Sequence, residues 1–271
     1  VIHLSSLAIN PYNVSMSSYE TLLTVWEKTI NYSNIFDYPL TTDEVYRFAV
    51  TQTPTSETSF NSWVEKNTPS LEKHFSNTNE MWTIKGRNRL TALRLKREKY
   101  SEQKIRSAKG FSKVFYLLPW VKLIAITGTV AAKNADQNDD TDLFVITSKR
   151  RIWLTRALML MTFSVIGKRS DTTKPNANGY CLNHIVTEDD LEIEDKNLYL
   201  ANDISRMIVL LNRGKTYETF LQANNWIKNY LANWWKEIHK ENIKAKKENN
   251  NTQSFNFSIL YFILTSPLRA P

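Results

Sequence analysis

Two aspartates separated by a single residue, Asp140 and Asp142, are the strongest chemical signal in the chain. On an extended backbone, residues two apart share a face, so both carboxylates point the same way. Carboxylates that close repel one another unless positive charge lies between them. A hard divalent cation, Mg²⁺ or Mn²⁺, held by carboxylates and by substrate phosphates, answers that need. Upstream, Gly128 and Thr129 follow the apolar run VKLIAIT. Glycine lets the backbone turn tightly and approach a ligand closely. The threonine hydroxyl, with the N–H groups that open a helix behind it, suits an anionic phosphate. Asp136, Asn138 and Asp140 also hint at a calcium loop, but Thr141 stands where that loop needs Gly and Thr147 where it needs Glu.

These groups need elements to hold them. Residues 121–127 and 143–147 read as buried strands, because both are short, β-branched apolar runs bounded by turn residues. Between them lie the Gly-Thr turn, a short small-residue helix start and a polar loop.

Strand, Gly-Thr, helix start, spaced Asp-x-Asp and strand together resemble the signature of the DNA-polymerase-beta-like nucleotidyltransferase superfamily. There Gly-Ser at one strand end is followed by Asp-x-Asp on the next strand; here Thr129 replaces the serine. The whole of TGTVAAKNADQNDDTDLFVITSKRRIWLTR also resembles one uncharacterised prokaryotic branch whose chains carry a winged-helix-like region in front. The resemblance implies an α+β chain: a small mixed sheet flanked by helices, an N-terminal helical, winged-helix-like domain and C-terminal helices. It implies transfer of a nucleoside monophosphate from an NTP to an unknown acceptor, with pyrophosphate leaving. Asp140 and Asp142 would be catalytic and bind the metal, Mg²⁺ or Mn²⁺. Gly128 and Thr129 would hold phosphates, and Asn134 would help shape the site. Arg156, in the run Trp153-Leu154-Thr155-Arg156, would reach a nucleotide phosphate or else form a surface ion pair. A third carboxylate normally lies on a later strand. The strand at 180–186 has no acid; Asn183 stands in its place, and Asp190, Glu192 and Glu194 follow. With only two acids, a nucleotide-sensing or regulatory protein that binds DNA or a protein partner stays open beside the enzyme.

The 271 residues allow one large domain or two small ones. A net charge of +8 points to nucleic acid, nucleotide or an anionic surface as partner. The single cysteine, Cys181, excludes an internal disulfide and fits a reducing cytosol. His3, His74, His184 and His239 show no metal-ligand spacing. No run reaches the roughly 18 apolar residues of a membrane helix, and no signal peptide is visible.

Residues 1–18 read as a loose end and 19–84 as the winged-helix-like domain. A helix is expected at 19–33. A capping box follows at Thr41 and Glu44, with Leu40 and Val45 as hydrophobic staple, and then a helix to about residue 50. A helix at 56–66 and a strand at 81–84 complete the domain. The helix at 56–66 carries Glu57 and Glu65 against Lys66, a poor surface for phosphates, so protein packing is the favoured role. Residues 85–118 form a basic connecting helix with Leu90, Leu93, Leu95, Ile105, Ala108 and Phe111 as its buried side. Its charges are a solvated face or a guide for a polyanionic substrate. The core spans 119–195 and the C-terminal helices 196–271. In the core, the helix after Lys149 buries Leu154, Leu158, Met161 and Val165; residues 167–179 form a flexible loop or lid, and 191–193 a returning strand. Helices are expected at 197–212 and 216–247, and a docking helix at 255–264.

Overall fold

The predicted capping box is present: the Thr41 hydroxyl accepts from the Glu44 N–H, and the Glu44 carboxylate accepts from the Thr41 N–H. A computed structural model gives the arrangement around it for residues 21–171 and 175–249. The expected loose start and the docking helix at 255–264 lie outside the described residues. The chain is mixed α+β, with two small sheets flanked by helices. The front comprises α1 (Leu22–Ile35), β1 (Leu40–Thr41), α2 (Thr42–Arg47), α3 (Glu57–Leu71), β2 (Phe75–Thr78) and β3 (Met81–Ile84). Its strands pair antiparallel in the order β1-β3-β2. Trp26 is fully buried at the centre, in ring contact with Phe60, Trp63, Phe75 and Trp82. Leu40 and Val45, the staple pair, are buried with it.

The second sheet has the order β6-β5-β4-β7, from β4 (Val121–Ile126), β5 (Thr141–Thr147), β6 (Tyr180–Thr187) and β7 (Ile208–Asn212). β4 runs antiparallel to β5 and β7, whereas β5 and β6 are parallel. A parallel pair needs a crossover, and α6 (Ile152–Val165) supplies it. β5 is buried on both faces, which is why it reads as a continuous apolar run. Leu143 and Val145 enter one core with Met159 and Phe163 of α6; Phe144 and Ile146 enter another with α7 (Leu198–Ser205) and α8 (Thr216–Ala223).

Several expectations are corrected. Residues 197–212 are not one helix: α7 ends at Ser205 and β7 follows. A short apolar run such as IVLLN has no periodicity to separate strand from helix; the open edge of β4 decides it. The helix expected over 216–247 is broken into α8, a 3₁₀ turn (Asn225–Asn229) and α9 (Ala232–Asn249). Buried Asn224 sits at the break, its side chain bonded to Phe220, Trp226 and the backbone of Leu191 and Ile193. Those last bonds also explain why residues 191–193 form no strand. On α6 the buried residues are Thr155, Met159 and Phe163, whereas Leu154, Met161 and Val165 are exposed. The helix is apolar all round, so its period cannot choose a side. The Thr155 hydroxyl chooses it instead, accepting from the Trp120 indole N–H and sharing a hydrogen bond with Thr147.

The basic connector, α4 (Arg89–Ser112), joins the two parts. Leu90, Ile105 and Ala108 are buried as expected, but so are Arg94 and Lys104, and Leu95 is exposed. Arg94 makes a two-pronged contact with Glu44, at 2.6 and 2.7 Å, and also donates to the Pro39 carbonyl. Lys104 donates to the carbonyls of Gln137, Asp139 and Ala177. Among the described residues, no helix is long and apolar enough to cross a membrane.

Removing one partner of a buried ion pair strands the other charge. Glu44→Ala is therefore expected to destabilise the fold by about 3–5 kcal/mol in urea denaturation. Glu44→Leu combined with Arg94→Met should lose less than Glu44→Ala. A change of under about 1 kcal/mol in Glu44→Ala would remove the pair from this role.

Candidate active site at the start of the central strand

β4 ends at Ile126, and the chain turns at Gly128 into the single-turn helix α5 (Gly128–Ala131). Gly128 has φ +67°, in the left-handed region that disfavours side chains. A Cβ there would stand 2.8 Å from Asp142 Oδ2. Glycine is thus required twice, for the turn and for the approach to the carboxylate. The Gly128 N–H donates to Asp203 Oδ1 at 2.9 Å, bringing in a third acid from α7. The Thr129 hydroxyl, exposed, donates to Asp139 Oδ2 at 3.1 Å, which also accepts from the Asp136 N–H at 2.9 Å. The loop before β5 is therefore tied to the Gly-Thr turn.

α4 holds the same loop from outside. Arg97 meets both oxygens of Asp136, at 3.0 and 3.1 Å, and Lys104 gathers the carbonyls of Gln137 and Asp139. The loop accordingly leads Asp140 and Asp142 into the start of β5.

The carboxylates oppose one another. Burial first, then Asp140 and Asp203, push the Asp142 carboxyl up to about 6, while a hydrogen bond with Cys181 works the other way. Cys181 sits opposite Asp142 on β6. Burial and the charges of Asp142 and Asp140 push its thiol up to about 11, so it stays a protonated donor. Burial also raises the Asp203 carboxyl, against the Gly128 N–H and His184. His184 comes into range through a register shift in β6. Leu182 pairs with Leu143 and His184 with Phe144, leaving Asn183 as the extra, exposed residue.

The structure brings Asp140, Asp142, Gly128 and Thr129 together. Asn134 buttresses the turn: its N–H donates to the Thr129 carbonyl at 2.8 Å. Its side chain accepts from Arg97 and donates to the Phe36 carbonyl at 2.9 Å, linking the turn to α4 and the front. Arg156 lies elsewhere. Its neighbour Thr155 is bonded to Thr147, the far end of β5, five residues or roughly 16 Å from Asp142. Asp190, Glu192 and Glu194 come after Thr187, which pairs with Thr147, so the chain carrying them leaves the sheet at the end opposite Asp142. The acid that sequence reasoning missed is Asp203. It lay inside a presumed long helix, and no motif marks it.

Among the described residues, no group of three or more His, Cys, Asp or Glu side chains is arranged to hold a metal ion by itself. Asp203 is engaged with the Gly128 N–H, which leaves Asp140, just before β5, and Asp142, its second residue, as the pair for a cation. The donor set still fits a hard cation. It is all oxygen, and Asp140 and Asp203 both add to the proton affinity of Asp142, a repulsion that a cation would relieve. Mg²⁺ commonly uses one or two carboxylates and completes its shell with substrate phosphates and water. No protein-family model matches the chain, and no curated protein matches it.

The raised Asp142 carboxyl fixes the sign of a pH effect. Its protonated form is favoured by folding, so its contribution is fully present below the unfolded value and is lost as pH rises through about 6. Asp142→Asn is expected to melt about 2–4 °C above wild type at pH 8, with the gap closing towards pH 4. That figure corresponds to about 1 kcal/mol once partial exposure of the carboxyl is allowed for. Added Mg²⁺ should narrow the gap at pH 8. Equal melting at both pH values would show that the acids do not repel in this way.

Proposed function

We propose that the chain is a metal-dependent nucleotidyltransferase, moving a nucleoside monophosphate from an NTP to an acceptor nucleophile. In this reading the second sheet and its helices form a nucleotidyltransferase fold, and the front, with helices and the strand order β1-β3-β2, is a winged-helix-like module. The observation that carries the proposal is the contact between the Gly128 turn and Asp142. The backbone of one strand end lies so close to the carboxylate opening the next that a Cβ would meet it at 2.8 Å. Glycine there is what lets the turn and its N–H come so near the acid pair.

Asp140 and Asp142 would hold Mg²⁺ or Mn²⁺, which when bound supplies positive charge to the attacking and leaving oxygens of an in-line displacement. The triphosphate would lie at the Gly128 turn, bordered by Thr129. Asp203, whose Oδ1 accepts from the Gly128 N–H and whose carboxyl is raised by burial, would take the proton of an acceptor hydroxyl. The acceptor oxygen then bonds to the α-phosphorus as the bond to pyrophosphate breaks. Arg156 has no part in this assignment, and Asn134 acts by holding the turn.

A second reading, nucleotide sensing without turnover, is favoured by one feature. The Gly128 N–H and the Thr129 hydroxyl already serve Asp203 and Asp139, so a phosphate has to displace them.

Incubation with labelled NTPs and Mg²⁺ tests the enzymatic reading. Pyrophosphate release or label transfer is expected, with a loss of at least about 100-fold in Asp142→Asn or Asp140→Ala. Asp203→Asn keeps an acceptor for the Gly128 N–H while losing the base. It should reduce turnover and leave NTP binding intact. Saturable NTP binding with no turnover by wild type would select the sensing reading.

A further inference from the structure

The exposed side of α4 presents cations with few partners. Arg89, Lys96, Lys99, Arg106 and Lys113 are all exposed. Arg89 and Lys96 are seven apart, as are Lys99, Arg106 and Lys113. Seven residues is close to two helical turns, so Arg89 and Lys96 form one row and Lys99 and Arg106 a second about 60° away, with Lys113 just past the helix end; together they make a broad basic band about 36 Å long. Among the described residues, only Arg106 has a carboxylate nearby, Glu102 at 4.0 Å. The first turn of α4 contains no acid, and Asn88 makes no side-chain cap. A cation at that end opposes the helix dipole, and like charges along one face repel. The helix is less stable for carrying the band, and a polyanion would relieve that strain.

The band borders a cleft. A space of about 440 Å³ opens between Tyr100 and Gln103 of α4, Gln137 and Asn138 of the loop, and Asn178. Thr141, the residue between Asp140 and Asp142, also lines it. Its amides suit the hydrogen-bonding edge of a nucleobase, and the half-buried Tyr100 ring lies below Lys96 Nζ, 5.9 Å from its centroid. A basic track with an aromatic ring and amide donors beside it is the chemistry that holds an unstacked strand. A duplex keeps its bases stacked, and the cleft could not reach them.

We propose that this face of α4 binds single-stranded nucleic acid. The phosphates lie along Arg89, Lys96, Lys99, Arg106 and Lys113, and one base enters the cleft beside Tyr100. The strand is then the acceptor class for the Asp140–Asp142 site, a role that rests on the enzymatic reading above; the binding itself does not.

The test is fluorescence anisotropy of the full chain with a labelled oligouridylate of about 20 nucleotides, in EDTA and without NTP, between about 50 and 200 mM salt. Binding should weaken with salt. The triple variant Lys96→Gln, Lys99→Gln, Arg106→Gln should lower the log–log slope by about 2, since each phosphate contact on a single strand contributes about 0.7. Tyr100→Ala should weaken binding about 5- to 100-fold with an unchanged slope. Circular dichroism checks that each variant is folded. No binding, an unchanged slope in the folded triple variant, or equal affinity for a duplex or heparin without dependence on Tyr100 would overturn the proposal. Binding of a strand that wild type never labels would support the track while removing the catalytic reading.

Discussion

The buried pair between Arg94 and Glu44 is the contact through which the two parts of the molecule are set against each other. Burial alone would raise the Glu44 carboxyl, yet Arg94 holds it below the usual range. Tyr38 lies between two guanidinium groups, 4.3 Å from Arg94 and 5.3 Å from Arg206, and Arg206 also stacks 3.8 Å over Phe48. Arg206 directly follows α7, the helix that carries Asp203. The same network therefore anchors α4 to the front and positions the helix that brings the third acid to Gly128. A paired charge in this setting gives little net stability, because desolvation offsets attraction. Its effect is geometric: few docking arrangements satisfy both prongs of Arg94.

α4 works as a spine with different chemistry on each side. Inward, Arg94 holds the front, and Arg97 and Lys104 hold the loop that leads into β5. Outward, the remaining cations face solvent next to a polar cleft. One basic run thus contains structural and exposed members, and burial separates them. The structural ones each satisfy several acceptors, as a buried charge must.

The site itself is a local departure from what favours folding. Burial and two neighbouring acids raise the proton affinity of Asp142, and the turn beside it needs a backbone conformation that only glycine adopts easily. Such conflicts between local preference and the global fold are tolerated where function needs them. Cys181, held protonated, donates a hydrogen bond that eases one of these charges without adding another.

The sequence by itself determined the parts whose signals are local. The capping box at Thr41 and Glu44 and the strands around Gly128 and Asp142 follow from spacing over a few residues, where backbone geometry permits little choice. Tertiary structure decided what depends on distant partners. β7 exists because β4 offers an open edge, and α6 buries Thr155, Met159 and Phe163 because Thr147 and Trp120 bond Thr155. Asn224 breaks a helix because the backbone at 191 and 193 takes its side chain. Asp203 joins the site, and Arg156 is left at the other end of the strand, for the same reason. Each position is set by contacts across many residues, and a single chain read in order carries no term for them.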